Sequence, residues 1–157
     1  MLSAAHNYQR FSLQVSTGLH RTDDNYAFML APNRDLFVIK RRGTSSTEVH
    51  VLSASSSYSR FVLQTATGLH RTDSTFDFAI ASNRDVAAIK KQASGRTEAH
   101  ILSAGSGYRS FVLQSRTVLH ATDDTFDFAM TPERDLFAIK KRGTGTSSTE
   151  IHIVDLR

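Results

Sequence analysis

The sequence predicts an all-β protein assembled from three copies of one unit of about 50 residues. Three observations predict this fold. Similar segments recur at an interval of 50, each unit holds four short apolar stretches separated by turn residues, and no stretch repeats its apolar residues at helical spacing. The units span about residues 8–57, 58–107 and 108–157, so the chain 1–157 is one repeat domain.

The repeat is visible when the chain is aligned from three tyrosines. The first unit begins YQRFSLQVSTGLHRTDDNYAF at Tyr8, the second YSRFVLQTATGLHRTDSTFDF at Tyr58, and the third YRSFVLQSRTVLHATDDTFDF at Tyr108. The second halves are also similar, except that the third carries two extra residues in the Gly/Ser/Thr-rich stretch 143–148. Insertions are tolerated best at exposed loop tips, so this stretch is predicted to be a hairpin turn.

The apolar stretches predict four strands in each unit. Alternation is clearest where Phe76, Phe78 and Ile80 occupy every second position, and a tight turn at 82–84 follows. In the second unit we predict strands at 60–68, 76–82, 84–91 and 96–103. One four-stranded blade then consists of an inner strand at 76–82, a second at 84–91, a third at 96–103 and an outer strand at 110–118.

The two ends of the chain predict an exchange of strands. Residues 10–17 match an outer strand without a four-stranded blade of its own, and the last blade, 126–155, has no outer strand. A ring of units closes without open edges when one end supplies the strand that the other lacks. Propellers typically have about 4–8 blades, so we predict that two chains form a six-bladed β-propeller as a homodimer. The alternatives are a nine-bladed ring of three chains and a β-trefoil closed within one chain.

A family resemblance favours the propeller. The segment RDLFVIKRRGTSSTEVHVLSA and the following YSRFVLQTATGLH resemble blades of the FG-GAP/VCBS (integrin-α-like) β-propeller family, and the resemblance recurs in all three units. Such blades carry an acidic calcium loop of the DxDGDGxxDL type, where this chain has LAPNRDL, IASNRDV and MTPERDL. Only Asp35, Asp85 and Asp135 remain there, whereas Ca²⁺ takes about 6–8 oxygen ligands. We therefore expect no metal and no other cofactor.

The composition excludes several classes of protein. There is no cysteine, which excludes disulfides and thiolate sites, and no apolar run of about 18 residues, so no membrane insertion is expected. The net charge is +4, from 19 basic and 15 acidic residues that are interspersed, which disfavours nucleic acid as a partner. The N-terminal stretch MLSAAHNYQR lacks the basic and apolar regions of a signal peptide. The location is left open between cytoplasmic and secreted with a processed leader.

Polar and aromatic residues recur with the units, and this recurrence predicts one binding site per unit. A catalytic site is usually one asymmetric arrangement, in which different environments move the pKa values of neighbouring groups apart. Residues that recur identically in every unit do not fit that pattern, so we predict that the protein is not an enzyme. The candidate ligand-binding residues follow each outer strand or lie in the Ser/Gly-rich loops: His20, Asp23, Tyr26, His70, Asp73, Phe76, His120, Asp123, Phe126, Tyr8, Tyr58 and Tyr108.

Each candidate has a structural alternative. As ligand-binding groups, the His and Asp side chains would hydrogen-bond the hydroxyls of a sugar and the aromatic rings would stack on its apolar face. Alternatively each Asp caps its own turn, each His packs at a strand end, and each Tyr anchors its loop. The basic stretches 40–42, 90–91 and 140–142 are interpreted as a solvated edge that lies across a hairpin from glutamates, and the histidines of the third strand as structural. Those glutamates are Glu48, Glu98 and Glu150, and those histidines are His50, His100 and His152.

The sequence thus predicts a multivalent, lectin-like carbohydrate-binding propeller with one shallow site per blade, in which several weak sites act together. One alternative is a self-assembling scaffold without a ligand. Another is a binder of anionic glycans or nucleic acid through the basic stretches, whose affinity would fall steeply with salt.

Overall fold

A computed structural model describes residues 11–145 and 147–157 and confirms that the protein is all-β. Its strands form three antiparallel sheets of four, four and three strands, without a closed barrel among the described residues. The first sheet contains β1 (Tyr26–Leu30), β2 (Leu36–Lys40), β3 (Ser46–Leu52) and β4 (Phe61–His70); the second contains β5 (Phe76–Ile80), β6 (Val86–Ala93), β7 (Arg96–Leu102) and β8 (Phe111–His120); the third contains β9 (Phe126–Met130), β10 (Asp135–Lys140) and β11 (Glu150–Asp155).

Each sheet is a meander in which strands that follow one another in the chain are neighbours. The predicted pairing across the hairpin of the second and third strands is confirmed in all three sheets. A lysine of the second strand lies opposite the glutamate of the third strand: Lys40 opposite Glu48, Lys90 opposite Glu98 and Lys140 opposite Glu150. The register places alternate side chains on opposite faces, as the period of two requires.

The turn between β5 and β6 is wider than predicted. β5 ends at Ile80 rather than at 82, and β6 begins at Val86 rather than at 84. The Arg84 N–H donates to the Ala81 carbonyl at 2.9 Å, and the Ala81 N–H donates to the Asp85 carbonyl at 3.0 Å. Because these bonds close the turn and Arg84 adopts a φ of 72°, the backbone leaves the extended conformation earlier than the apolar pattern indicates.

The outer strands β4 and β8 run two residues further than predicted, as far as His70 and His120. Buried threonines of the third strands explain the extension. The Thr47 hydroxyl donates to the His70 carbonyl at 2.8 Å, and the Thr97 hydroxyl donates to the His120 carbonyl at 2.9 Å. Both threonines are 0% exposed, so these bonds hold the end of each outer strand against its sheet.

The three sheets pack face to face in chain order, and β5 contacts both β1 and β9. Two apolar cores lie between them. The first, between the first and second sheets, includes Phe37 and Ile39, and the second, between the second and third sheets, includes Ile89 and Leu136. All four side chains are 0% exposed, so the stack is held together by ordinary core packing.

The third sheet leaves its outward face uncovered. Ile151 and Ile153 are each 61% exposed, although Ala99 and Ile101, at the equivalent positions of the second sheet, are 0% exposed. The register pairs Ile153 with Phe137, which shares this face. We call it the third-sheet end face. Its residues occupy positions that are buried between two sheets elsewhere in the chain.

The first sheet is uncovered on its opposite side. Phe28 is 52% exposed and Leu30 is 53% exposed, whereas Phe78 and Met130, which occupy equivalent positions in the other sheets, are only 9% and 7% exposed. We call this the first-sheet end face. The stack therefore ends in two apolar faces, each of which resembles one side of the sheet junctions inside the chain.

Residues 12–20 belong to no sheet of the chain. Of the strand predicted at 10–17, Arg10 lies outside the described residues, and 12–17 form no strand. The C-terminal part of this segment nevertheless makes the same backbone contact as an outer strand. The Gly18 N–H donates to the Tyr58 carbonyl at 3.0 Å, and the Gly68 N–H in β4 makes the same bond to Tyr108 at 3.1 Å. Segment 11–20 thus lies where the outer strand of a sheet before the first would lie.

Gly68 permits a close approach between an outer strand and the next loop, and we expect Gly68→Ala to destabilise the protein. A Cβ at Gly68 would lie 2.5 Å from the Arg109 carbonyl oxygen, so the backbone must shift. Overpacking of this kind costs about 1–3 kcal/mol of the free energy of unfolding, which urea denaturation measures. Gly105→Ala is the matched control, because its Cβ would meet only the Ser103 hydroxyl, at 3.6 Å. Equal losses in the two variants would contradict the prediction.

Candidate functional site

A groove recurs at each place where the end of an outer strand meets the following sheet. We call the three the first, second and third grooves. They are lined by His20, by His70 at the end of β4, and by His120 at the end of β8, respectively. Their volumes are about 220, 410 and 760 Å³ in that order. The grooves recur because the units do, so equivalent residues face each of them.

His100 stands at the centre of the second groove and is held on all sides. Its ring lies between Phe76 and Phe111, with ring centroids 6.4 and 6.1 Å away. The Gln114 amide nitrogen is 3.4 Å from Nδ1, and the Glu98 carboxylate is 3.5 Å from Nε2. The third strand supplies Glu98 and His100, and the outer strand β8 supplies Phe111 and Gln114, so the sheet register itself builds this constellation.

The first groove repeats that geometry. The His50 ring centroid lies 5.9 Å from that of Phe61, and the Gln64 amide nitrogen lies 3.3 Å from His50 Nδ1. The Glu48 carboxylate is 3.1 Å from His50 Nε2 and 3.5 Å from the Lys40 ammonium. Aromatic surface, an imidazole and an ammonium group therefore line the first groove as they line the second, and in both a glutamate carboxylate contacts the imidazole.

The third groove is more open because no outer strand pairs with β11 among the described residues. The Phe126 ring lies 6.3 Å from the His152 ring, and the Glu150 carboxylate lies 3.7 Å from His152 Nε2, so the inner part of the site matches the other two. The His152 side chain is 42% exposed, however, compared with 18% for His50 and 17% for His100.

The charges of lysine and glutamate offset each other at the first groove. The pKa of Glu48 is lowered although burial raises it, because the Thr44 N–H, the His50 side chain and the Lys40 charge all favour the carboxylate. The carboxylate is therefore ionised at neutral pH and offsets the Lys40 charge. A groove with paired charges of this kind suits a neutral polar ligand better than an anion.

The second groove makes stability depend on pH through His100. Burial lowers the pKa of His100, against the opposing effect of Glu98. The unfolded imidazole has a pKa of about 6.5, so the stability that neutral His100 contributes is present above that pH and is lost as the pH falls below it. We expect His100→Gln to reduce the loss of unfolding free energy between pH 8 and pH 5, measured by urea denaturation. His70→Gln, at an exposed position, serves as the control, and an unchanged loss in His100→Gln would contradict the prediction.

The sequence candidates divide between the grooves and the turns. His20 and Tyr26 line the first groove, His70 and Phe76 the second, and His120, Asp123 and Phe126 the third. The aspartates close their own turns. Asp73 accepts bonds from the Thr75 N–H at 2.9 Å and the Thr75 hydroxyl at 2.6 Å, and Asp23 accepts one from the Asn25 N–H at 2.9 Å. Asp123 makes the same contacts with Thr125, and these bonds lower the pKa values of Asp73 and Asp123.

The described tyrosine candidates of the Ser/Gly-rich loops, Tyr58 and Tyr108, lie away from the grooves. The Tyr58 hydroxyl donates to the Arg34 carbonyl and the Tyr108 hydroxyl to the Arg84 carbonyl, each at 3.1 Å. Tyr108 is 3% exposed, and burial raises its pKa. These contacts tie the Ser/Gly-rich loops to the β-turns of the same sheet. Tyr8 lies outside the described residues.

Sequence reasoning omitted half of each groove from the candidates. The omitted residues come from the second, third and outer strands: Lys40, Glu48, His50, Phe61, Gln64, Lys90, Glu98, His100, Phe111, Gln114, Lys140, Glu150 and His152. The cross-strand register was the available signal. Once Lys40 is placed opposite Glu48, the following outer strand must bring Gln64 opposite His50.

Not every basic residue lies on a solvated edge as predicted. The Arg41 guanidinium is partly buried and donates to the Asp73 and Phe76 carbonyls, at 2.9 and 2.6 Å. Lys91 is only 6% exposed, and its ammonium lies 2.5 Å from the Asp124 carboxylate of the next unit. Asp77 also lies beside it, and burial raises the pKa of Asp77 while Lys91 opposes that shift. Lys91 therefore points inward, toward the inner strands, because it stands one position after Lys90 and so on the other face of the strand.

No family model matches the chain, and neither a curated protein nor a solved structure shows significant similarity to it. Among the described residues, no helix is long and apolar enough to cross a membrane. The same part of the chain holds no group of three or more His, Asp or Glu side chains arranged to bind a metal ion.

Proposed function

We propose that the protein is a lectin-like carbohydrate-binding module with one shallow site at each sheet junction. The observation that carries the proposal is the recurrence of the same groups at all three grooves: an aromatic ring, an imidazole and an ammonium group line each groove, and a glutamate carboxylate contacts each imidazole. A sugar ring presents hydroxyls at its edge and C–H groups on its face. Aromatic surface beside several hydrogen-bonding groups is complementary to both.

The charge balance favours a neutral sugar over an anionic glycan or nucleic acid. In the first groove the Lys40 ammonium is 3.5 Å from Glu48, and in the second Lys90 lies opposite Glu98. The Lys40 charge is thus already partnered within the sheet, and Lys90 is placed across from a carboxylate of the neighbouring strand. An anion would have to displace these contacts, whereas a hydroxyl group can donate to the carboxylate and accept from the ammonium at once.

We further propose that the three sheets are half of a six-bladed propeller formed by two chains. The two apolar end faces and the unequal sheets of four, four and three strands support this ring. A head-to-tail interface closes when its rotation completes a circle, and two chains bring the number of blades to six, within the usual range of about 4–8. Six weak sites on one ring would give avidity for a multivalent glycan.

A sugar titration followed by NMR tests the proposed function. Unlabelled methyl glycosides of neutral sugars are added to labelled protein, and the imidazole resonances of His50, His100 and His152 report one groove each. We expect saturable shifts that change little between about 50 and 500 mM salt, because no counterions are released. Phe76→Ala should weaken binding at the second groove about 3- to 10-fold, as the loss of an aromatic contact predicts, and leave the other grooves unchanged.

Val62→Ala is the control variant, since Val62 is 57% exposed and lines none of the three grooves. Absence of any saturable shift would replace the proposal with a scaffold that has no ligand. Affinity that falls by orders of magnitude with salt, for heparin-like or nucleic-acid probes, would replace it with an anion binder.

A further inference from the structure

The third groove lacks the outer strand that completes the other two. In the first and second sheets that strand supplies a phenylalanine against the groove histidine and a glutamine at its Nδ1. Among the strands that the structure describes, β11 pairs only with β10 and is the edge of the third sheet. This explains why the His152 side chain is more than twice as exposed as its counterparts, at 42%.

Segment 11–20 carries the side chains that the third groove lacks. Phe11 and Gln14 stand 50 residues before Phe61 and Gln64, and Phe11 is 62% exposed. The end of the segment already has the local geometry of an outer strand. The Leu19 N–H donates to the Thr17 hydroxyl at 3.2 Å, as the Leu69 N–H of β4 does to the Thr67 hydroxyl at 3.1 Å.

The segment cannot reach the third sheet of its own chain. Gly18 is hydrogen-bonded to Tyr58, beside the first sheet, and the second sheet lies between the first and the third. The segment and the edge strand β11 are therefore at opposite ends of the stack. They can meet only between two copies of the chain.

The sheet faces favour the same partner. Between the first and second sheets, Phe37 is covered by the edge of the Tyr108 ring at 6.1 Å and by the Arg84 guanidinium at 5.4 Å. Phe137 occupies the position of Phe37 on the uncovered third-sheet end face. Tyr58 and Arg34 are the equivalents of Tyr108 and Arg84 beside the first sheet, so a second copy presents the matching groups.

We propose that the third groove is a composite site, completed by Phe11 and Gln14 of a second copy of this chain. In the completed groove Phe11 packs against His152, and the Gln14 amide donates to His152 Nδ1. The ligand class, a neutral sugar, rests on the proposed function. The pairing of segment 11–20 with β11 is independent of the proposed function. This pairing would make every groove on the ring equivalent.

Disulfide trapping tests the pairing without any ligand. Gln64 lies directly opposite His50, and Gln114 directly opposite His100, so Gln14 is placed opposite His152. The chain has no cysteine of its own. Oxidised Gln14→Cys/His152→Cys should run as a covalent oligomer, about 35 kDa for two chains of 17.4 kDa, on a non-reducing gel. Directly opposed strand residues are close enough for a disulfide.

Two cysteine pairs serve as controls. Gln64→Cys/His50→Cys should crosslink within the chain and stay at 17.4 kDa, and Gln14→Cys/His100→Cys should not crosslink, because β8 already covers His100. If the Gln64/His50 pair crosslinks but the Gln14/His152 pair stays at the mass of one chain, the proposal is overturned.

The sugar titration then separates the composite site from the proposed function. Phe11→Ala should shift the His152 imidazole resonance in the free protein and weaken sugar binding at His152 about 3- to 10-fold. The resonances of His50 and His100, and the sugar affinities of their grooves, should be unchanged. Binding at His152 that is unaffected by Phe11→Ala would overturn the composite site. If no groove binds a sugar, the proposed function fails, and the trapped disulfide and the His152 shift still decide the pairing.

Discussion

Phe37→Ala is expected to lower the free energy of unfolding by about 3–5 kcal/mol, the largest loss we foresee for a single side chain. Phe37 is 0% exposed, and its ring is packed by Tyr108 at 6.1 Å and by the Arg84 guanidinium at 5.4 Å. Alanine would leave a cavity between two sheets whose backbones are fixed by their own hydrogen bonds, so collapse can recover little. Urea denaturation at low protein concentration measures the loss.

Phe137→Ala is the matched control, because Phe137 occupies the same position on the third-sheet end face. In a single chain that face is uncovered, and the substitution should cost much less than Phe37→Ala. Assembly is linked to folding by mass action, so the cost of Phe137→Ala should rise with protein concentration if a second copy covers the face. Similar costs for the two variants at low concentration would contradict the assignment of Phe137 to an open face.

The strand pattern of this fold follows from its sequence with little ambiguity. Residues 76–80 alternate strictly, and the interval of 50 allows each unit to confirm the others. What the pattern could not show is where the strands end. The hydrogen bonds of Arg84 and Ala81 in one turn, and of Thr47 with the His70 carbonyl at 2.8 Å, decide those boundaries, and such contacts are specific to the folded chain.

The site was only half predictable for a related reason. Local spacing identifies residues that follow one another, such as His70 and Phe76, and both line the second groove. The rest of the groove comes from strands that are separated in sequence, as His100 and Gln114 are. Asp73 illustrates the opposite error of local reasoning. It stands beside the groove histidine in sequence, but its carboxylate is used by the Thr75 N–H and hydroxyl.

The unequal sheets connect the fold to the function. The third sheet has three described strands, and its open edge lies at the third groove, whereas segment 12–20 belongs to no described sheet. In the proposed ring, pairing of segment 11–20 with β11 of a second copy would add backbone hydrogen bonds and complete the third groove in one step, so assembly and valency would arise together.

Ile153→Asp is expected to reduce the native mass from about 35 kDa to the 17.4 kDa of one chain, measured by light scattering on a sizing column. Ile153 is 61% exposed in the single chain, so a carboxylate there is solvated and the fold is retained. Between two sheets the same carboxylate would lose its water without gaining a partner, at a cost of several kcal/mol. Ile153→Leu keeps the apolar surface and should keep the larger mass.

The same substitution on the opposite face separates two modes of assembly. In a head-to-tail ring the third-sheet end face of one copy meets the first-sheet end face of the other, so Phe28→Asp should also give 17.4 kDa. In a back-to-back dimer each face would meet its own copy, and only one of the two variants would dissociate. Dissociation by Ile153→Asp but not by Phe28→Asp would therefore exclude the ring, and a wild-type mass of 17.4 kDa would exclude both modes.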